Sequence, residues 1–170
     1  MNHLERFHAI HTFLFDVDGV LTDGSVLVTE EGDLLRRMSI RDGYAIKRAV
    51  QQGLRICAIT GGSSEGVRSR LLRLGVSDVF LGRQEKLEAY EALLQRYELD
   101  EAGILYMGDD LPDYPVMRKV GLPACPADAA PEVLQIAQYV SPYRGGQGCV
   151  RDVIEKVLRL HRKWRPYQED

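Results

Sequence analysis

The chain has 170 residues, 45% apolar and 28% charged, which is enough for one soluble domain with its own core and no disulfide staples. A net charge of −3 argues against a nucleic-acid-binding surface, and no apolar run reaches the ~18 residues of a membrane span. The opening MNHLERFHAIHT lacks the apolar stretch of a secretory signal, and Cys57, Cys125 and Cys149 form no CxxC pair, so a cytoplasmic location is expected without a disulfide framework or zinc knuckle.

The first predicted element is a short buried strand, Thr12 to Phe15. After it, Ser25 to Ser39 reads as a β-hairpin, with Val26/Val28 and Leu35/Arg37 flanking the turn Glu30-Glu31-Gly32-Asp33. It is expected to project as a flap of about residues 24–40. A hairpin with apolar residues on both faces is not stable alone, so another subunit is its natural partner. A helix follows with Ala45, Ile46, Ala49 and Val50 on one face, then a strand over Arg55 to Ile59. Next come a helix with Val67, Leu71 and Leu74, a strand over Val79 to Leu81, and a helix with Leu87, Tyr90 and Leu94. The fourth strand is Ile104 to Met107. A tail from about residue 144 begins Arg144-Gly145-Gly146-Gln147-Gly148 and continues as a helix striped by Val150, Val153, Ile154, Val157 and Leu158. Strands alternating with helices predict an α/β fold across residues 1–170 as a single domain: a doubly wound, Rossmann-like parallel sheet with helices on both faces. In such a sheet ligands bind at the carboxyl ends of the strands.

Each predicted strand is followed by polar groups. Asp16 and Asp18 follow the first, and strand alternation points them the same way, so two carboxylates need a compensating cation such as magnesium. Thr60-Gly61-Gly62-Ser63-Ser64 follows the second, where a hydroxyl and consecutive N–H groups make an anion cradle. Lys86 follows the third, opening a helix against its dipole. Asp109, Asp110 and Asp113 follow the fourth. Taken singly, each has a plainer reading: a turn, an N-cap or a solvated lysine. Their convergence on one edge of one sheet points to a common site.

The order carboxylate pair, Thr/Gly, Lys, carboxylate cluster resembles the haloacid-dehalogenase superfamily of phosphotransferases, motif by motif. Thr22 to Gly24, RDGYAI at Arg41 to Ile46, GDDLPDYPVM at Gly108 to Met117 and RGGQGCVRDV at Arg144 to Val153 narrow it to the 3-deoxy-D-manno-octulosonate 8-phosphate phosphatases. The related nonulosonate 9-phosphate phosphatases share this skeleton. The resemblance implies that Asp16 is a nucleophile forming an aspartyl-phosphate and that Asp18 protonates the leaving alkoxide and then activates water. It implies that Thr60 and the Gly61 N–H hold phosphoryl oxygens and that Lys86 balances both phosphate and Asp16. Magnesium would be held by Asp16, the Asp18 main-chain carbonyl and Asp109, while Asp113 orients Lys86. The charge argument independently favours the same grouping, because a carboxylate attacking a phosphate dianion needs neutralising cations.

Only 41 residues separate Asp18 from Thr60, and the hairpin plus one helix consume them, so the flap stands in place of a cap domain. The resemblance implies a homotetramer in which hairpins associate and C-terminal tails approach a neighbour's site. It also implies a small-molecule sugar-acid phosphate as substrate, with a product that feeds lipopolysaccharide synthesis. Arg68, Arg70 and Arg73 could bind the sugar's carboxylate. After Thr60-Gly61 the octulosonate enzymes usually carry Arg and the nonulosonate enzymes Glu, whereas this chain has Gly62, with no side chain to contact a sugar. A signalling receiver and a silent oligomerisation module are the alternatives from other classes. Motif order opposes the first, and the uncompensated carboxylates oppose the second. His3, His8, His11 and His161 lie away from the motifs, Cys57 reads as core, nothing near Cys149 suggests an activated thiol, and Trp164 and Tyr167 fall in a polar terminus expected to fray.

Overall fold

In the computed structural model, which describes residues 3–165, a helix α1 (His3–Ala9) leads into β1 (Thr12–Phe15), whose four residues are all buried. The hairpin follows as β2 (Leu27–Val28) and β3 (Leu34–Leu35), then α2 (Ile40–Gln51), β4 (Arg55–Ile59) and α3 (Glu65–Arg73). Next are β5 (Asp78–Phe80), α4 (Lys86–Tyr97), β6 (Ile104–Met107) and α5 (Tyr114–Met117). The chain ends in β7 (Leu122–Cys125), α6 (Pro131–Ile136), β8 (Tyr139–Val140) and α7 (Cys149–Leu160). Six of the strands form one parallel sheet in the order β5-β4-β1-β6-β7-β8. The chain moves outward from β1 to β4 and β5, then returns to β1's other side with β6, so the order reverses beside β1. That reversal is where a doubly wound sheet opens its ligand crevice.

Period-two alternation divides the strand residues between two cores. Phe13, Phe15, Ile56, Ala58, Leu105 and Met107 join the layer of α1, α2, α3 and α7. Leu14, Cys57, Ile59, Ile104 and Tyr106 join the layer of α4, α5 and α6. Burial on both faces is why these strands read as continuous apolar runs. The helical stripe of Val150, Val153, Ile154, Val157 and Leu158 is wholly buried.

Some boundaries differ from expectation. The third expected strand begins one residue earlier, at Asp78, and ends before Leu81. Asp78 can start a buried strand because Arg96 pairs with it and the Tyr97 hydroxyl donates to it at 2.7 Å. The strands β7 and β8 lie beyond the four that the sequence pattern predicts; the first contains Pro123 and the second has two residues. The glycine segment of the tail rests on its own chain: Gly146 N donates to the Val20 carbonyl at 2.9 Å, and Gly145 N to Asp128 Oδ1 at 2.9 Å. Trp164 does not fray, since its ring meets Tyr44 edge-on at 6.2 Å and lies under the Arg151 guanidinium at 5.3 Å. Tyr167 and the side chain of His3 lie outside the described residues. His8 and His161 pair with each other, with ring centroids 5.3 Å apart, and His11 bonds Thr12; none of the three lines the cavity at the strand ends.

Candidate active site

Asp16 extends the β1 ladder by one bond, its N–H donating to the Met107 carbonyl at 3.0 Å, so its position is set by the sheet. The chain then turns sharply, with the Val17 carbonyl accepting from the amides of Val20, Leu21 and Thr22. Thr22 Oγ1 accepts from the Gly19 and Gly24 amides and locks the turn. Gly19 has φ +89°, and a Cβ there would fall 1.9 Å from Asp109 Oδ2. Only glycine lets the loop after β1 approach the carboxylate after β6.

Lys86 opens α4 yet is only 4% exposed, because its ammonium points into the sheet edge. It lies 2.7 Å from Asp16 Oδ1 and 2.7 Å from Asp113 Oδ1. Asp113 also accepts from the Tyr106 hydroxyl at 2.6 Å and from the amides of Asp109 and Asp110 at 3.0 and 3.3 Å. Four donors match the roughly four lone-pair sites of a carboxylate. Asp113 therefore has little left for a metal, although oxygens of Asp16, Asp109 and Asp113 all lie within 4.8 Å of one another. Asp113 holds the lysine, while Asp16 and Asp109 share a side-chain hydrogen bond beside it, in an acidic group that could hold a cation. Oxygen donors of this kind suit a hard divalent ion such as magnesium.

The electrostatics agree. Burial and the neighbouring Asp113 charge push the Asp16 carboxyl well above its ordinary range, against the pull of Lys86. Burial, then Asp113, raises Asp109 to about 6. For Lys86, burial opposes the charged form, but the charges of Asp16 and Asp113 outweigh it and the net shift is upward. So the lysine stays charged, whereas burial and the Asp113 charge disfavour ionisation of Asp16 and Asp109, a penalty that a bound cation would relieve.

On the other side, Thr60 N donates to the Phe80 carbonyl at 2.9 Å and Thr60 Oγ1 accepts from Gly62 N at 3.1 Å. Arg83 N donates to the Thr60 carbonyl at 2.9 Å, tying the loop after β4 to the one after β5. Asp16, Asp18, Thr60, Gly61, Lys86 and Asp109 thus line one cavity of about 390 Å³, with Asp113 beneath. Arg70 and Arg73 are not brought there within this chain. Arg70 lies against α2, its Nη2 2.8 Å from where a Cβ on Gly43 would be, and Arg73 is exposed on α3. The reason is the helical stripe: Val67 and Leu71 face the core and turn the arginines away from the strand ends. Residues not singled out from the sequence also reach the site. Arg83 and Gln84 line the cavity, and Arg36 from the end of the hairpin grips Asp18.

Residues 75–151 match the haloacid dehalogenase-like hydrolase family. The 3-deoxy-D-manno-octulosonate 8-phosphate phosphatase KdsC of Escherichia coli K12 is 38% identical over 149 residues, 88% of this chain and 79% of that protein. The chain belongs to this phosphatase family. Among solved structures, the octulosonate 8-phosphate phosphatase of Yersinia pestis superposes with a TM-score of 0.91 at 36% identity, covering 94% of this chain and 86% of that one. The Moraxella catarrhalis phosphatase, solved with magnesium, phosphate and the sugar acid KDO, gives a TM-score of 0.89 at 30% identity, covering 92% and 90%. The chain is thus a phosphoric monoester hydrolase of the haloacid-dehalogenase type, and neither a receiver nor a silent module describes it.

Proposed function

We propose that this phosphatase is magnesium-dependent and hydrolyses 3-deoxy-D-manno-octulosonate 8-phosphate, with Asp16 as nucleophile. The carrying observation is a buried ammonium 2.7 Å from both Asp16 and Asp113, with an Asp109 carboxylate oxygen within 4.8 Å of theirs. An Asp16 oxygen attacks phosphorus in line, the bond from phosphorus to the sugar oxygen breaks, and Asp18 gives that oxygen a proton. Water then attacks the aspartyl-phosphate, Asp18 takes the proton, and inorganic phosphate leaves with Asp16 restored. Lys86, the Thr60 hydroxyl and the Gly61 N–H hold the phosphoryl oxygens through transfer. Magnesium, when bound by Asp16, Asp109 and the Asp18 main-chain carbonyl, supplies positive charge beside the phosphate. With Arg70 and Arg73 turned away, Arg83 is the arginine on the cavity wall that suits the sugar's carboxylate.

The exposed apolar row Leu27, Val28, Leu34 and Leu35 supports association of copies of this single-domain chain through their hairpins, in the homotetramer the resemblance implies. Three buried, free cysteines suit a reducing cytoplasm, and no described helix is long and apolar enough to cross a membrane. The product would feed lipopolysaccharide synthesis. A nonulosonate 9-phosphate is the second reading, because Gly62 lacks the side chain that separates the two groups of enzymes. Phosphate release with magnesium, measured on octulosonate 8-phosphate, nonulosonate 9-phosphates and hexose phosphates, tests both. Preference for the first is expected; preference for the second would move the assignment, and equal turnover of hexose phosphates would reject it.

A further inference from the structure

Gly62 leaves an opening in the wall of the cavity. A Cβ there would lie 3.1 Å from Arg36 Nη2, 3.4 Å from Asp18 Oδ2 and 3.5 Å from Thr60 Oγ1. A guanidinium, a carboxylate and a hydroxyl therefore meet over a residue with no side chain. Arg36 contrasts with the apolar row of its hairpin: Leu27 and Leu35 are mostly exposed, but the Arg36 side chain is only 8% exposed. Its Nε donates to Asp18 Oδ1 at 2.7 Å and its Nη2 to Asp18 Oδ2 at 3.1 Å, a two-pronged fork. Its Nη1 donates to the Leu34 carbonyl at 2.9 Å, which fixes the fork's own orientation.

An ion pair whose carboxylate is 35% exposed adds little to stability, so a role as a mere brace leaves the burial of Arg36 unexplained. Its larger effect falls on Asp18. A fork on both oxygens fixes the plane and rotamer of that carboxyl, and each oxygen still has a lone pair or proton site beyond the one Arg36 occupies. Proton transfer requires such placement within hydrogen-bond reach of the leaving oxygen. We infer that Arg36 is a positioning residue, delivered by the hairpin of the same chain through the gap at Gly62, which aims Asp18 at the leaving group. This rests on the role of Asp18 given above.

The test compares kcat/KM, with magnesium, for octulosonate 8-phosphate and for p-nitrophenyl phosphate. This ratio covers only steps through departure of the alcohol, and p-nitrophenolate leaves without needing a proton. Asp18→Asn lowers the sugar-phosphate value much more than the aryl value. Arg36→Ala does the same more mildly, roughly 30-fold against no more than about threefold. Arg36→Lys recovers part of the loss, since an ammonium keeps the charge but not the fork. Gly62→Val follows Arg36→Ala, because its branched side chain displaces the fork. If Asp18→Asn is selective but Arg36→Ala lowers both substrates equally, or neither, Arg36 does not position Asp18. If Asp18→Asn itself lowers both equally, the acid role of Asp18 is wrong and the positioning role falls with it.

Discussion

Asp113 and Leu27 stand at two extremes of the molecule. Asp113 is 1% exposed, and donors from Lys86, Tyr106 and two backbone amides surround its carboxylate. Leu27 is 68% exposed in a strand of two residues, opposite Leu35 and little else. The strand-end site is braced by its own chain's sheet, so its groups hold their places before any ligand arrives. The hairpin leaves the apolar row Leu27, Val28, Leu34 and Leu35 exposed and turns Arg36 toward Asp18. The strand-end carboxylates are thus held by partners from their own chain, whereas the hairpin's apolar row has little of that chain packed against it.

The largest break in this contrast is Asp16→Asn. It should lower turnover on the order of 10⁴-fold or more while circular dichroism and melting show a folded protein. Asp113→Ala should act on both activity and fold. Lys86 would lose a buried partner and the amides of Asp109 and Asp110 an acceptor, for about 3 kcal/mol of stability in a denaturant titration. A fall of under about 0.5 kcal/mol would show that the brace is not needed.

The dependence on pH sharpens the same contrast. Asp109 is raised from the ordinary carboxylate value of 3.8 to about 6. A raised folded-state value means that the group's stabilising contribution is full below the unfolded value and is lost as pH rises through the folded one. The metal-free protein should therefore melt progressively lower between about pH 4 and pH 6, the window set by that shift. Magnesium should bind more tightly over the same interval, because the carboxylate must shed its proton to ligate. Calorimetry at several pH values, with and without magnesium, checks both signs. The smallest effect on the fold is expected for Leu27→Glu, under about 0.5 kcal/mol for an exposed position, yet light scattering should report smaller assemblies.

The sequence was most legible where burial is two-sided. Thr12 to Phe15, Arg55 to Ile59 and Ile104 to Met107 are strands at those bounds, because an apolar run sealed on both faces by helices leaves an unbroken pattern. It was least legible at the sheet's far edge, where Pro123 and the two residues of β8 mask the period. Asp16, Thr60, Lys86 and Asp109 could be grouped because parallel strands bring their carboxyl ends together regardless of the spacing along the chain. Arg36 could not, since its contact with Asp18 depends on how a hairpin folds back and on the space left by Gly62. Nor could the orientation of Arg70, which the helix's apolar stripe decides.

In the proposed mechanism Asp16 carries the phosphoryl group in transit. Mixing the enzyme with magnesium and octulosonate 8-phosphate, quenching with borohydride during turnover and mapping the peptides by mass spectrometry tests it directly, because borohydride reduces an acyl phosphate to the alcohol. Homoserine at position 16, dependent on substrate, is the predicted result. Homoserine at position 18 or 109, or none at all under conditions that trap a known aspartyl-phosphate, would contradict the account.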